Sequence, residues 1–130
     1  MADAGLFIGW GAPVRGREEK GLDVFQEALA LEASLQEEGA IESFEVVLLA
    51  PHGGGLAGFV LVRGSREQIE AVRGREDVQR MNTRAATIVE EFGVIDAYLG
   101  EGVAEQVETY REAVSELASA VPPVASRRAF

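Results

Sequence analysis

The chain has 130 residues, of which 47% are hydrophobic and 26% are charged, a composition typical of one globular domain that can bury a core. Its 12 basic and 22 acidic residues give a formal net charge of −10, which disfavours binding to nucleic acid or to an anionic membrane because both are themselves negatively charged. The absence of Cys excludes disulfides, thiolate nucleophiles and cysteine-ligated metals.

The first half of the chain predicts a strand, a helix and a hairpin. A short aromatic-rich run at 6–10, closed by Pro13, is typical of a strand. Apolar residues recur every three or four positions and predict a helix over 18–38. Two β-rich runs, 41–50 and 56–63, are joined by a glycine-rich turn. The apolar stripe of the predicted helix comprises Leu22, Phe25, Ala28, Leu29 and Leu35.

The second half predicts helices on either side of one more strand. Ser65 and Gln68 form a capping-box pattern that opens a helix, and Gly74 interrupts its apolar stripe, so two helical pieces or a kink are expected. The run 92–99 predicts a fourth strand. Apolar residues at steps of four and three predict an amphipathic helix that continues to residue 121.

This order of elements predicts an α+β fold. Residues 1–100 are predicted to form a ferredoxin-like βαββαβ unit, in which a four-stranded antiparallel sheet carries both main helices on one face. An extra C-terminal helix follows at 101–121, and a short tail at 122–130. Because amphipathic helices usually cover their own core, we expect this helix to pack on its own sheet or first helix rather than on another subunit.

The alternation of side chains along the strands predicts which residues face the helices. In the second, third and fourth strands, the alternate set without charges is assigned to the helix side. The opposite set is still mostly apolar but includes Glu45, Arg63, Asp96 and Tyr98. A monomer should not expose such a face, and two copies packed sheet to sheet would cover it and enclose a partly polar cavity.

Residues 5–100 resemble the dimeric α+β barrel superfamily in layout and hydrophobic pattern. The stretches that carry the resemblance are FIGWG, LEASLQEEGAIESFEVVLLAPHGGGLAGFVLVRG, and SREQIEAV through EEFGVIDAYLG. The resemblance implies a homodimer paired sheet to sheet, in a fold that includes monooxygenase-like and isomerase-like proteins. Monooxygenase-like members use an Asn and a Trp near the cavity, whereas the only Asn here, Asn82, falls within the second predicted helix.

The candidate cavity residues are Glu45, Arg63, Asp96, Tyr98 and Trp10. Glu45 or Asp96 could act as general acid or base, with Tyr98 and Arg63 as hydrogen-bond donors. Arg63 and Glu45 could instead simply pair with each other in a dimer interface. Trp10 could line the cavity or cap the core, and we expect it near the C-terminal end of the third strand.

The sequence therefore predicts a small homodimer that binds a small, partly apolar molecule between its sheets or acts as an accessory protein. The alternatives are a cofactor-independent enzyme of the isomerase, cyclase or monooxygenase type acting on a small organic substrate, and a structural protein with a filled interior. With a single His, His52, and no Cys, neither a metal nor a cofactor is expected. No segment resembles an export signal or a membrane span, so a cytoplasmic location is expected, without nucleic-acid or membrane partners.

Overall fold

One antiparallel sheet forms the centre of the protein in the computed structural model, which describes residues 2–120. Its strands are β1 (Ala4–Trp10), β2 (Ser43–Leu48), β3 (Gly58–Gly64) and β4 (Gly93–Tyr98). Their order is β2-β3-β1-β4, and each neighbouring pair is antiparallel. This order is that of a ferredoxin-like unit, so the predicted α+β fold class is confirmed.

Four helices accompany the sheet: α1 (Glu18–Glu37), α2 (Arg66–Arg73), α3 (Glu76–Ala86) and α4 (Glu101–Ala120). α1 and α2 pack on one face of the sheet, and α3 packs against both of these helices. The interruption predicted at Gly74 is confirmed, because this residue is the C-cap of α2 and separates it from α3.

The predicted capping box opens α2. The Gln68 backbone N–H donates to Ser65 Oγ at 3.1 Å, and the Ser65 backbone N–H donates to Gln68 Oε1 at 2.8 Å. Two amide groups that the first helical turn leaves unpaired are thereby satisfied. The cap fixes the point at which the chain leaves β3 and turns onto the sheet.

The core lies between the sheet and α1–α3. Its buried members are apolar residues of the sheet, of the three helices and of the turn after α1: Leu6, Val60, Val62, Leu35, Ile41, Ile69, Val72 and Val78. The alternation of β3 is clear, because Val60 and Val62 are buried while Phe59 and Leu61 are only half-buried. One face of the sheet is thus covered by the chain's own helices.

The strand alternation was predicted correctly for β2 and β3 and wrongly for β4. Residues directly opposite each other on paired strands share a face. Leu6, a core residue of β1, lies opposite Val62 on one side and Asp96 on the other. Asp96 and, two residues along, Tyr98 therefore lie on the helix side of the sheet, not on the face predicted for them.

The error at β4 has a physical reason. β4 is an edge strand, and the helices leave that edge partly open to water, so Asp96 and Tyr98 stay exposed although they lie on the helix side. A charged residue is a reliable sign of the uncovered face only where the other face is fully covered. Residue Ile95, assigned from its apolar character to the helix side, lies on the opposite face and is 57% exposed.

The other face of the sheet, hereafter the open face, carries no helix among residues 2–120. Phe7 and Phe59 stack on it with ring centroids 4.7 Å apart. Register places further apolar side chains beside them, namely Val47, Leu61, Ile95 and Ala97. The open face is thus mainly apolar, as the sequence predicted from β2 and β3.

α4 leaves the domain instead of covering it. The first turn of α4 packs against the domain, and Gly102 in this turn is buried. Near the same end of the helix, Arg66 Nη2 donates a hydrogen bond to Glu105 Oε1 at 3.1 Å. Its apolar seam is exposed along its length, at Val103, Val107, Tyr110, Val114 and Leu117. The expectation that this helix packs on its own sheet or first helix is therefore wrong. The predicted tail at 122–130 lies outside the described residues.

Among residues 2–120, no helix combines the length and the apolar character needed to cross a membrane.

Candidate functional site

A pocket of about 290 Å³ lies between α1, α3 and the helix side of the sheet. Its wall is predominantly apolar and includes Ile8 and Trp10 of β1, Phe25 and Leu29 of α1, and Met81 of α3. Protein interiors rarely leave a void much larger than a water molecule. A space of this volume, hereafter the helix–sheet pocket, is therefore the first candidate for a binding site.

Small side chains create the space. Gly21 and Ala28 lie on the side of α1 that faces the pocket, and Ala85 of α3 faces it from another wall. Trp10 closes part of the wall and meets Phe25 edge to face, with ring centroids 5.9 Å apart. The indole has room because the residue opposite it in β3 is Gly58, where a Cβ atom would lie 2.9 Å from Trp10 Cζ2.

The pocket opens to solvent at one end. Leu22 and Leu48 both line it, yet they are 67% and 68% exposed. Exposed leucines at a pocket's rim give a ligand an apolar entrance.

One titratable side chain is buried in this wall. Glu32 of α1 is only 8% exposed, and within the described part of the chain its Oε1 atom has no hydrogen-bond partner. Burial raises the pKa of Glu32 from 4.5 to about 7, since the charged form loses its hydration. Near neutral pH this carboxyl is therefore poised between its neutral and charged forms.

Two further polar side chains line the pocket. Glu18 lies at the exposed start of α1, where its Oε1 accepts a hydrogen bond from the Gly16 backbone N–H at 3.0 Å. Asn82 reaches the wall from α3 and is partly buried. The pocket can thus hold a small, mostly apolar molecule and offer it a carboxyl at Glu32 and an amide at Asn82.

The structure does not bring the five sequence-predicted site residues together. Glu45 and Arg63 lie on the open face, where Arg63 Nη2 donates to Glu45 Oε1 at 3.2 Å. Both side chains remain more than a third exposed in the single chain. Their pairing was the structural alternative considered for them, and their membership of an inter-sheet cavity stays a prediction.

Asp96 and Tyr98 lie on the other face, at the edge of the sheet. Asp96 Oδ1 accepts a hydrogen bond from Arg73 Nη1 at 2.7 Å, and the second Arg73 nitrogen donates to the Val94 carbonyl at 3.3 Å. The Asp96–Arg73 ion pair therefore links β4 to α2. Asp96 and Glu45 do not share a cavity, because they lie on opposite faces of the sheet. Tyr98 is at the end of β4 that pairs with Ala4, away from the end of β1 that holds Trp10.

Trp10 lines the helix–sheet pocket, but its neighbours differ from those expected. β1 and β3 are antiparallel, so Trp10 lies opposite Gly58 at the start of β3 rather than near its C-terminal end. The Ala57 backbone N–H donates to the Trp10 carbonyl at 2.7 Å, which ties the tryptophan to the loop between β2 and β3.

Sequence reasoning missed Glu32, although a signal was present. Glu32 stands between Leu29 and Leu35 on the stripe of α1, three residues from each, where a helix buried against a sheet normally carries an apolar residue. A single acidic residue inside an apolar stripe is a weak signal of a buried carboxyl. Glutamates on helices are usually exposed, and for that reason the pattern alone does not single it out.

His52 has a structural position in the glycine-rich loop. Its Nδ1 accepts from the Gly54 backbone N–H at 3.2 Å, which leaves Nε2 to donate to the Leu56 carbonyl at 2.7 Å. Across residues 2–120 there is no group of three or more His, Cys, Asp or Glu side chains placed to hold a metal ion.

The fold is similar to that of several solved proteins. A dimeric ferredoxin-like protein of unknown function from Jannaschia sp. CCS1 superposes with a TM-score of 0.59 and 14% identity, over 74% of this chain and 99% of that one. A hypothetical protein from Arabidopsis thaliana gives a TM-score of 0.57 and 13% identity, over 77% and 90% of the two chains.

A third structure, a dimeric protein of unknown function and ferredoxin-like fold from Bacteroides fragilis NCTC 9343, gives a TM-score of 0.55 and 13% identity over 74% of this chain and 96% of that one. No protein-family model matches the sequence, and no curated protein matches it. The resemblance inferred from the sequence is therefore confirmed at the level of the fold.

Proposed function

We propose that this chain is a homodimeric small-molecule-binding protein that holds a small, mostly apolar ligand in its helix–sheet pocket. The observation that carries the proposal is the pocket itself, about 290 Å³ of space that the core leaves unfilled and that opens to solvent. One water molecule takes up roughly 30 Å³ in the liquid, so this space holds a ligand of about ten non-hydrogen atoms if each is given the volume of a water molecule.

The sequence placed the ligand between two sheets, whereas we place it on the helix side. The helix–sheet pocket is complete within one chain and combines an apolar wall with a buried carboxyl. On the open face, the two charged residues identified from the sequence, Glu45 and Arg63, already bind each other. Ligand binding in this proposal does not depend on the dimer.

The homodimer is supported by the open face. Phe7, Phe59 and Leu61 lie there without a helix from residues 2–120 over them, and apolar patches of this kind usually mark an interface. Two proteins of similar fold are described as dimeric. A second copy, packed sheet to sheet, supplies the same apolar surface in return. The cytoplasm remains the location that we expect for this acidic chain.

Filling the pocket tests the proposal. Ala28→Phe places a ring in the pocket wall, while the matched variant Ala30→Phe places it on the exposed side of α1. We expect benzyl alcohol and benzylamine, added at millimolar concentration, to shift the backbone amide NMR signals of pocket residues in the wild type and in Ala30→Phe. The shifts should be lost in Ala28→Phe. Equal shifts in both variants, or none in the wild type, would contradict the proposal.

A second candidate is a cofactor-independent enzyme, and the position of Glu32 favours it. A carboxyl with a pKa of about 7 can accept and return a proton near neutral pH, which is the requirement for general acid–base catalysis. Asn82 lines the same pocket and could hold a carbonyl oxygen by a hydrogen bond. In this reading Glu32 replaces Glu45 and Asp96 as the acid or base.

Isotope exchange separates the two candidates. An enzyme of this type would accelerate deuterium uptake from D2O at the methyl group of acetophenone, measured by NMR at neutral pH, and Glu32→Gln would abolish the acceleration. If wild type and Glu32→Gln exchange the methyl protons at the same rate, Glu32 has no such catalytic role toward this ketone.

A further inference from the structure

The ligand's chemistry can be inferred from Glu32, because its Oε1 is the one fully buried side-chain polar atom among residues 2–120 that lacks a hydrogen-bond partner. Glu32 is nine-tenths buried, and its Oε1 atom accepts no hydrogen bond from any described residue. Buried carboxyl oxygens are normally paired, and an unpaired one in a native structure calls for an explanation. The explanation that the site itself suggests is a donor supplied by the ligand.

The pocket wall limits what that donor can be. Among the described lining residues, Glu18 and Glu32 are the only charged ones, and both are acidic. A ligand carboxylate would therefore meet like charges and no cation. A hydrocarbon would fill the space but leave Oε1 unpaired.

We propose that the helix–sheet pocket selects a small amine with an apolar body, whose nitrogen donates a charge-assisted hydrogen bond to Glu32. This inference rests on the proposed function and names the class of its ligand. An ammonium group supplies both a hydrogen-bond donor and a positive charge to the Glu32 carboxylate. Charge-assisted hydrogen bonds of this kind are about twice as strong as neutral ones. The formal net charge of −10 also draws cations toward the protein.

The apolar body of the amine matches the remaining wall. Apart from Glu18, Asn82 and the indole N–H of Trp10, the side chains of the remaining described wall are apolar. With the nitrogen at Glu32, the rest of the ligand occupies the volume toward the mouth at Leu22 and Leu48. The ligand class is therefore compact amines rather than amino acids, whose carboxylate would meet only acidic charges among the described lining residues.

Four probes of one skeleton test the inference: benzylamine, benzyl alcohol, benzoate and toluene. Binding to the full-length protein is measured at pH 8 by NMR titration of the amide signals of pocket residues. We expect benzylamine to bind at least tenfold more tightly than benzyl alcohol or toluene, and benzoate to bind least. Glu32→Gln should remove the preference for the amine and retain the binding of benzyl alcohol. Glu37→Gln, on the exposed side of the same helix, should bind all four as the wild type does.

A second measurement does not depend on any variant. The side-chain carboxyl carbon of Glu32 is titrated by NMR with and without benzylamine, and bound amine should lower the midpoint by favouring the charged form. Equal affinity for the amine and the alcohol, an unchanged midpoint under saturating amine, or an amine preference kept in Glu32→Gln would overturn the inference while leaving the proposed function in place. If none of the four probes binds in the pocket, the proposed function and this inference both fail.

Discussion

At the scale of single residues, Glu32 is the most unusual feature of the molecule. It occupies a core position of α1, and among residues 2–120 its carboxyl has neither a cation nor a hydrogen bond to offset its burial. Burying an unpaired charged group opposes folding. A residue that weakens the fold while lining a pocket is better explained by function than by structure.

Removing this carboxyl should stabilise the protein at alkaline pH. The folded state holds the Glu32 proton more tightly than the unfolded state, with a pKa raised from 4.5 to about 7, so stability falls as pH rises through that window. Glu32→Leu should raise the free energy of unfolding by roughly 3 kcal/mol at pH 8, given about 1.4 kcal/mol per pKa unit, and by much less at pH 5. Urea denaturation at both pH values measures this.

Glu37→Leu is the control for this substitution, because Glu37 is exposed on the same helix. Its effect should be small and should not change between pH 5 and pH 8. A gain for Glu32→Leu that is equal at the two pH values would mean that the carboxyl is not shifted by burial.

Gly58 is a second residue whose identity the packing requires. A Cβ atom there would meet Trp10 Cζ2 and the Val47 carbonyl oxygen, each at 2.9 Å. Gly58→Ala should therefore cost about 1–3 kcal/mol of stability, because a strand carbonyl cannot move away cheaply. Gly93→Ala, where no atom lies within 4 Å of the added carbon, should be close to neutral. Comparable losses in the two variants, measured by chemical denaturation, would show that the contact at Trp10 is not the cause.

At the scale of elements, the capping box of α2 joins the sheet to the helical layer. α2 has only eight residues, and short helices depend on their caps and on packing rather than on propensity. Ile69 and Val72 deliver the packing, while Ser65 and Gln68 supply the cap.

Ser65→Ala should lower the free energy of unfolding by about 1 kcal/mol, since the Gln68 backbone N–H loses its acceptor. Ser34→Ala, on the exposed side of α1, should have almost no effect because alanine favours helix interiors. The same loss in both variants would mean that the hydroxyl at position 65 contributes no cap.

α4 differs from the other helices because the described part of the chain leaves its apolar side uncovered. Residues such as Val107 and Leu117 recur along one side, as in a helix that packs, yet they are exposed in the single chain. Its anchoring is polar and peripheral, through Arg66 and Glu105, and both of these side chains are largely exposed. Exposed ion pairs of this kind contribute little to stability, because water screens the two charges.

At the scale of the whole molecule, the two faces of the sheet differ in what they contact. The helix side holds the core and the helix–sheet pocket, and the open face holds apolar residues with the Glu45–Arg63 pair at its margin. A dimer formed through the open face would leave the pocket mouth at Leu22 and Leu48 on the outside of the assembly. Each subunit could then bind its ligand independently.

Light scattering at micromolar concentration should find a dimer for the wild type and a monomer for Leu61→Glu. Leu61 lies in the middle of the open face, opposite Phe7 and Glu45, so a charge there would be desolvated beside another acid. Leu48→Glu is the matched control on the other side of the sheet, at an already exposed leucine, and should remain dimeric. A monomeric wild type would contradict the dimer.

The sequence by itself determined the order of strands and helices along the chain, the break between two helices at Gly74 and the helix cap at Ser65. These features depend on local chemistry: side-chain periodicity, glycine and a hydroxyl at a fixed spacing. Together with the short connections they leave few topologies, and the ferredoxin-like arrangement is one of them.

Only the tertiary structure decided the face of Asp96, the exposure of α4 and the burial of Glu32. Periodicity tells which residues share a side of an element, but not whether that side is covered, because the cover comes from residues far away in the chain. Leu6 and Val62 fix the side of Asp96 through strand register, and Glu32 lies in the wall of a pocket that α3 and β1 also line. The candidate site was missed for this reason: a glutamate acquires unusual chemistry only when distant apolar residues remove it from water.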